Sequence, residues 1–268
     1  MQLTFIGTGE AFDTNRATTS YLVGNESPTG YKSTLVDCGY TTVPSLRRRV
    51  LNSSGRDLID IPDNLVFTHF HGDHFAGLSA LLIPLWDEVR ERGAERDLTI
   101  ASPDEILKQR VEKRMGEDYP GLYERFEADG LNIHFRKMSP DRDCLGNLIV
   151  TSALARHSVP NYAYRFSNGT KSFAISGDGS LTEESKALYQ GVDLLVHEGF
   201  FVDVSSQNHA SIEEVVDFAI SERIPQVAIV HVNQSEREKK SKIRGLVEKA
   251  SEKGVSVFFP NDGENVSF

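Results

Sequence analysis

Cysteine is scarce in this chain of 268 residues: Cys38 and Cys144 are the only two. Two thiols give neither a disulfide framework nor a cysteine-rich metal site, and they suit a reducing compartment. Basic charge is also in deficit. Lys and Arg number 29 against 39 Asp and Glu, a formal net charge of −10, so a general nucleic-acid binder is disfavoured unless a local basic patch supplies the phosphate contacts. The basic runs that exist, Arg47 to Arg49 and Lys239 to Lys242, are short and read as solvated helix faces. No apolar run is long enough to cross a bilayer, and the opening MQLTFIGTGEAF has neither the basic nor the apolar region of a secretory leader. A cytoplasmic protein with no membrane partner is the expectation. Low-complexity linkers and internal repeats of 20 to 50 residues are missing too. With 39% hydrophobic and 25% charged residues, the chain is expected to form a single domain over residues 1–268 with a sizeable core.

Short β-rich runs bounded by turn residues predict strands at Leu3–Ile6, Ser20–Val23, Ser33–Val36 and Leu65–Thr68, read as a meander. The apolar-periodic stretch Phe75–Val89 predicts a helix that ends or kinks at Pro84. A strand at Leu98–Ala101 leads into helices, the first opened by Ser102, Pro103 and Glu105 as a capping box. Further strands are expected at Leu131–Lys137, Leu148–Ala155, Ala163–Phe166, Ser172–Ile175, Leu194–Val196, Val227–Val230 and Val255–Phe259. Helices between them are signalled by Ser180 with Glu183, Ser211 with Glu214, and Ser235 with Glu238. Two β-rich halves whose sheets pack face to face, with helices on the outside, satisfy this order: an α/β (α+β) architecture.

The chemistry concentrates in THFHGDH, which sets His69, His71, Asp73 and His74 within six positions. In an extended segment His69 and His71 point to one side and can share a metal ion. Gly72 permits a turn, after which Asp73 and His74 open a helix and face a second ion. Imidazole and carboxylate are the donors expected for zinc, and they also suit manganese or iron. Three more candidates follow strands: His157, Asp178 within Gly177-Asp178-Gly179, and His231. The set divides into His69, His71 and His157 on one ion and Asp73, His74 and His231 on the other, with Asp178 between both. His134 reads as an exposed strand residue, His197 as a packed group, and Cys38 as a buried thiol and not a nucleophile.

The motif HxHxDH followed by His157, Asp178 and His231 resembles the metallo-β-lactamase superfamily. The stretches IGTGEAFDTNRATTSYLV, LVDCG, HSVPNYAYRF and LLVHEGFF resemble its branch of ribonuclease Z and related phosphodiesterases. The resemblance implies a four-layer αββα sandwich, a dinuclear site at one edge of the sheets, usually holding two zinc ions, and hydrolytic activity. It also implies a proton relay. That branch pairs a Glu after a strand-end His with a downstream His, positions held here by Glu198 in VHEGF and His209 in NHAS, though the branch often has HEAT where this chain has HEGF.

The expected activity is that of a metal-dependent phosphodiesterase on a small or nucleotide-type substrate. Asp73 would position or deprotonate the attacking water, and His209 with Glu198 would protonate the leaving oxygen. The rivals are an ester, thioester or lactone hydrolase on the same metals, ribonuclease Z-type processing of tRNA 3′ ends, and a non-catalytic metal-binding sensor. tRNA is an unlikely partner on this reading: between His157 and Asp178, where bacterial ribonuclease Z carries a long arm, there is room only for two short strands around Asn168-Gly169. The segment Leu85 to Asp129 would roof the site or form a homodimer contact, and Ser158 to Tyr162 would line the pocket.

Overall fold

A computed structural model describes residues 1–26, 30–52, 55, 57–204 and 206–268. Elements are numbered along the chain. The first half contains β1 (Gln2–Gly7), β2 (Ser20–Asn25), β3 (Lys32–Val36), α1 (Thr42–Leu46, continued as a π-helical turn Arg47–Leu51), β4 (Asn64–Val66), α2 (Gly72–Phe75), α3 (Leu78–Arg92), β5 (Arg96–Ser102), α4 (Leu107–Asp118) and β6 (Leu131–Lys137). The second contains β7 (Asp143–Leu145), β8 (Leu148–Ala155), β9 (Asn161–Ser167), β10 (Ser172–Ile175), α5 (Glu183–Tyr189), β11 (Leu194–Glu198), α6 (Ile212–Glu222), β12 (Gln226–Val230), α7 (Lys240–Glu252), β13 (Ser256–Phe258) and β14 (Asn265–Ser267). Among the described residues these strands form two seven-stranded sheets, ordered β14-β1-β2-β3-β4-β5-β6 and β13-β12-β11-β10-β9-β8-β7.

Side-chain alternation builds the layers. Leu35, Leu65 and Ile100 face outward to α1, α3 and α4, while their neighbours Val36, Val66 and Ala101 face inward to Phe166, Phe173 and Val196 of the other sheet. Ala174, Leu195 and Ile229 in turn face α6 and α7. The middle strands are buried on both faces, by helices on one and by the other sheet on the second, and therefore read as continuous apolar runs. Pairing is antiparallel from β1 to β3 and parallel from β3 to β6. The expected meander thus holds only for the first three strands.

Several local expectations are corrected. Pro84 does not end the helix: α3 runs through it, because the apolar face of Leu81, Leu82, Leu85, Trp86 and Val89 is buried and that packing outweighs one lost backbone bond. Ser102 closes β5 instead of capping a helix, its Oγ accepting from Asp104 N–H, and Glu105 pairs with Lys137. Before α5 the capping box is formed by Thr182 and Ser185, not by Ser180 and Glu183. Ser235 turns back to the Asn233 side chain and precedes a single 3₁₀ turn, so α7 begins later, at Lys240. Ser211 and Glu214 do form their reciprocal box at α6. β14, which pairs with β1, was not anticipated. The segment from Leu85 to Asp129 packs against the outer face of the first sheet and lines no part of the cavity described below.

Candidate metal centre

The site lies where parallel strands of both sheets end. Beyond β4 the chain passes through Thr68 to His71 into α2, and this turn is clamped by the backbone after β3: Cys38 N–H donates to His74 O (2.7 Å) and Gly77 N–H to Cys38 O (2.8 Å). Only glycine fits at position 39, since a Cβ there would stand 1.7 Å from the Asp73 carbonyl oxygen. This is the structural content of LVDCG. In the other sheet, Asp178 follows β10 between Gly177 (φ 63) and Gly179 (φ 139), Glu198 ends β11, and His231 follows β12 in the left-handed region (φ 53). A left-handed non-glycine residue costs energy and marks a position held by its surroundings.

All seven expected ligands come together in two sets. In the first, His71 Nδ1 lies 3.1 Å from His69 Nε2 and 3.0 Å from His157 Nε2. In the second, His74 Nε2 is 3.4 Å from Asp73 Oδ2 and 3.3 Å from Asp178 Oδ1, and His231 Nε2 is 3.3 Å from both Asp73 Oδ2 and Asp178 Oδ2. Asp178 also reaches within 4.0 Å of His69 Nε2, between the sets as expected. Donor atoms about 3.3 Å apart are the edge of a tetrahedron with the 2.0–2.1 Å bond length of zinc. His74 Nε2 and Asp178 Oδ1 are buried without a hydrogen bond, an arrangement that costs stability unless something is bound there. The residues fit a pair of cations.

The far sides of three of the rings are held in turn. His74 Nδ1–H donates to Asp37 Oδ2 (2.8 Å), His69 Nδ1–H to Thr68 Oγ1 (3.0 Å), and His157 Nδ1–H to the Asn208 carbonyl (2.7 Å). Each bond fixes the tautomer that leaves the other nitrogen's lone pair facing the set. Asp37, itself left-handed (φ 62), also accepts from Thr68 N–H and Oγ1–H (2.8 and 2.7 Å).

The electrostatics of the two sets differ. Burial lowers the pKa of His69 and of His157, so both are neutral donors. At the second set burial acts against charge, but the carboxylates outweigh it: His231 rises to about 9 beside Asp178, and His74 is raised well above its usual value by Asp178, Asp37 and Asp73. Asp73 and Asp178 are held well below the usual carboxylate range, burial being overcome by His74 and His231. This field favours positive charge at the point where their donor atoms converge.

Glu198 and His209 also meet. Glu198 Oε1 accepts from His209 Nδ1–H (2.9 Å) and from Gly179 N–H (2.5 Å), and Oε2 from Phe200 N–H (3.1 Å). Burial raises the Glu198 pKa against the pull of His209; the His209 pKa is raised because the Glu198 bond outweighs burial. The His209 ring stacks on Phe200 at 4.5 Å and lies 5.0 Å from His157 and 6.0 Å from His231. A cavity of about 320 Å³ opens over this constellation, with Phe12, Ser158, Asn208 and Asn233 on its walls. Of the expected lining Ser158 to Tyr162, only Ser158 reaches it.

Three contributors escaped the sequence reading. Asp37 has a signal, an acidic residue ending the apolar strand TLV, but its partner His74 is far along the chain. The Asn208 carbonyl has none. Phe12 is visible only as an aromatic residue in a polar loop. His134 is exposed beside Asp97 and His197 is buried, its pKa lowered to about 4 by burial, as expected for groups outside the site.

A family model described as anti-Pycsar protein Apyc1 matches residues 1–252. Ribonuclease Z of Staphylococcus carnosus (strain TM300) is 23% identical over 292 residues, spanning 87% of this chain and 89% of its own length. The metallo-β-lactamase fold protein YhfI from Bacillus subtilis superposes with a TM-score of 0.74 at 20% identity, over 99% of this chain and 98% of that one. The short form of human tRNase Z gives 0.71 at 18% identity, over 100% and 99%. The fold is that of the metallo-β-lactamases, in their ribonuclease Z-like branch.

Proposed function

The chain belongs to the family of anti-Pycsar protein Apyc1, and on that premise we propose that it is a dinuclear metal-dependent phosphodiesterase acting on a small, nucleotide-type phosphodiester. His69, His71 and His157 would hold one cation, Asp73, His74 and His231 the other, with Asp178 shared. Zinc suits the donors, and manganese or iron is compatible with them. Two cations there would supply Lewis acidity, lowering the pKa of water and offsetting charge on the phosphoryl oxygens. Asp73, kept ionised by His74 and His231, accepts a hydrogen bond from the attacking water and orients it.

The observation that carries the reading is His209. Its Nδ1 is tied to buried Glu198, which favours the protonated ring, and it stands in ring contact with both donor sets. Its Nε2–H is thus available to a departing alkoxide, the proton that a phosphodiester with a sugar leaving group requires. The Ser158 hydroxyl, 3.3 Å from His71 Nε2, steadies that ring.

Efficient maturation of tRNA is not expected. Between His157 and Asp178 lie only β9, β10 and their turn, and the groove beside α5 and α6 is acidic, with Glu183, Glu213 and Asp217, which repels a polyanion. The deciding experiment gives zinc-loaded protein a panel of bis(p-nitrophenyl) phosphate, 3′,5′-cyclic nucleotides, a thioester, a lactone and a precursor tRNA. Turnover of the cyclic nucleotides is expected. Preference for the thioester or lactone would replace the phosphodiester by a carbonyl substrate, accurate 3′ cleavage of the precursor would restore the tRNA reading, and metal binding without turnover would leave a sensor.

A further inference from the structure

Phe12 is the most exposed large apolar side chain among the described residues, 84% accessible, yet it stands on the wall of the cavity above the metal set. The backbone beneath it is tied down at many points. Phe12 N–H donates to Glu10 Oε2 (2.7 Å), and Asp13 Oδ1 accepts from Asn15 N–H (2.9 Å) and Arg16 N–H (3.1 Å), while Arg237 pairs with the same carboxylate. Asp262 takes hydrogen bonds from Thr8 N–H (3.0 Å) and Ala17 N–H (2.8 Å), fastening both ends of the loop to the chain's last segment. A mobile loop would fold such a ring away; a fastened one keeps it in water at a cost. Phe200 and Phe201 line the same cavity, as do Asn208 and Asn233. A rigid aromatic face beside amides is what a flat heteroaromatic ring with polar edges recognises.

We propose that Phe12 is the stacking platform for a nucleobase, so that the substrate is a single nucleotide whose phosphodiester lies over the metal set and whose base lies against this ring. The proposal rests on the phosphodiesterase reading above. The cavity size agrees: about 320 Å³ is at the small end of ligand pockets and suits one nucleotide better than a polymer. Stacking is tolerant of base identity, because every base has a π-face, so Phe12 selects for the presence of a base and little for its kind.

The test measures binding of adenosine 5′-monophosphate and of ribose 5-phosphate to zinc-loaded protein by calorimetry. Phe12→Ala should weaken the nucleotide about tenfold and leave ribose 5-phosphate unchanged, and Phe12→Trp should keep the nucleotide's affinity. Equal loss for both ligands, or no loss, overturns the platform. So does a change of oligomeric state in Phe12→Ala, seen by sedimentation, with both ligands affected, since the ring would then serve a contact between copies. Turnover is read separately. If wild-type protein discriminates the two ligands through Phe12 but hydrolyses no phosphodiester, the platform stands and the activity reading falls; if neither phosphate binds, both fall.

Discussion

Two strands in opposite halves of the molecule begin alike and end differently. β3 opens with Lys32-Ser33, and Asp63, just before the next parallel strand, accepts from Ser33 N–H (2.8 Å) and Lys32 Nζ (2.9 Å). β10 is entered through Lys171 and opens with Ser172, and Asp193 accepts from Ser172 N–H (2.9 Å) and Lys171 Nζ (2.6 Å) in the same way. At these starting ends every carboxylate is partnered, and both pKa values fall because the lysine and backbone bonds outweigh burial. At the far ends the halves diverge. β3 runs directly into Asp37, which turns behind His74, whereas β10 is extended by Ser176-Gly177, so that Asp178 reaches the donor atoms themselves. One device therefore serves two purposes: its starting end fastens adjacent strands, and its finishing end supplies either a candidate ligand or the support of one. At the finishing ends the donor set includes buried polar atoms without partners and left-handed backbone at Asp37 and His231, whereas the two carboxylates at the starting ends are satisfied.

The comparison is broken most severely at Asp178. Asp178→Ala removes the carboxylate common to both sets and should abolish tight binding of both cations, measured by elemental analysis after dialysis, with activity falling more than the roughly hundredfold that loss of an outer partner costs. Retention of two ions per chain would show that Asp178 is not shared.

The second half also supplies Glu198 and His209, which have no counterpart after β3. His209→Ala should slow hydrolysis of a diester with an alkoxide leaving group by about a hundredfold or more and nitrophenyl esters far less, with metal content unchanged. Equal losses on both substrates would make the pair structural.

Asp37→Asn tests the supporting end. It keeps the size of the side chain but weakens the hold on His74, so affinity for the cation at the set of Asp73, His74 and His231 should fall about 10–100-fold in a chelator competition, with a smaller loss at the set of His69, His71 and His157, which Asp37 reaches only through Thr68. Uniform weakening of both sets would refute the division of labour between Asp37 and Asp178.

The seven candidate donors are legible in the sequence because metal chemistry restricts residue type and because strands and turns restrict direction, and the fold brings them within reach of one another. The sequence disclosed the layers because parallel strands buried on both faces must be apolar throughout. It did not disclose which Ser caps a helix, since Ser180, Thr182 and Ser185 all have the right chemistry and only the neighbouring strands decide. Nor did it show Asp37 behind His74, or that Pro84 would be carried inside α3, because both depend on partners distant in sequence. The Lys-Ser pairs at the starts of β3 and β10 lie in plain view. Their meaning requires Asp63 and Asp193, which only the fold brings near.

The smallest effect is expected at the fastening end, and pH gives it a signature. The Asp63 carboxyl sits below its ordinary value of 3.8, burial being outweighed by Lys32, Ser33 and Arg96. A carboxylate favoured in the folded state stabilises the fold above its unfolded pKa, and that stabilisation is lost as the pH falls through the lower folded value. Asp63→Asn retains an oxygen to accept from Ser33 but not the charge, so it should cost about 1 kcal/mol at neutral pH and leave activity at saturating metal untouched. Denaturant titrations of wild type and variant should draw together as the pH drops below about 4. Asp193→Asn should behave alike with a smaller amplitude, because its side chain is more exposed, 30% against 14%, and water screens the pair more strongly. A gap at Asp63 that stayed constant into acid would assign the loss to geometry and not to charge. A fall in metal affinity in either variant would show that the two ends of these strands are coupled, which the separation drawn between them denies.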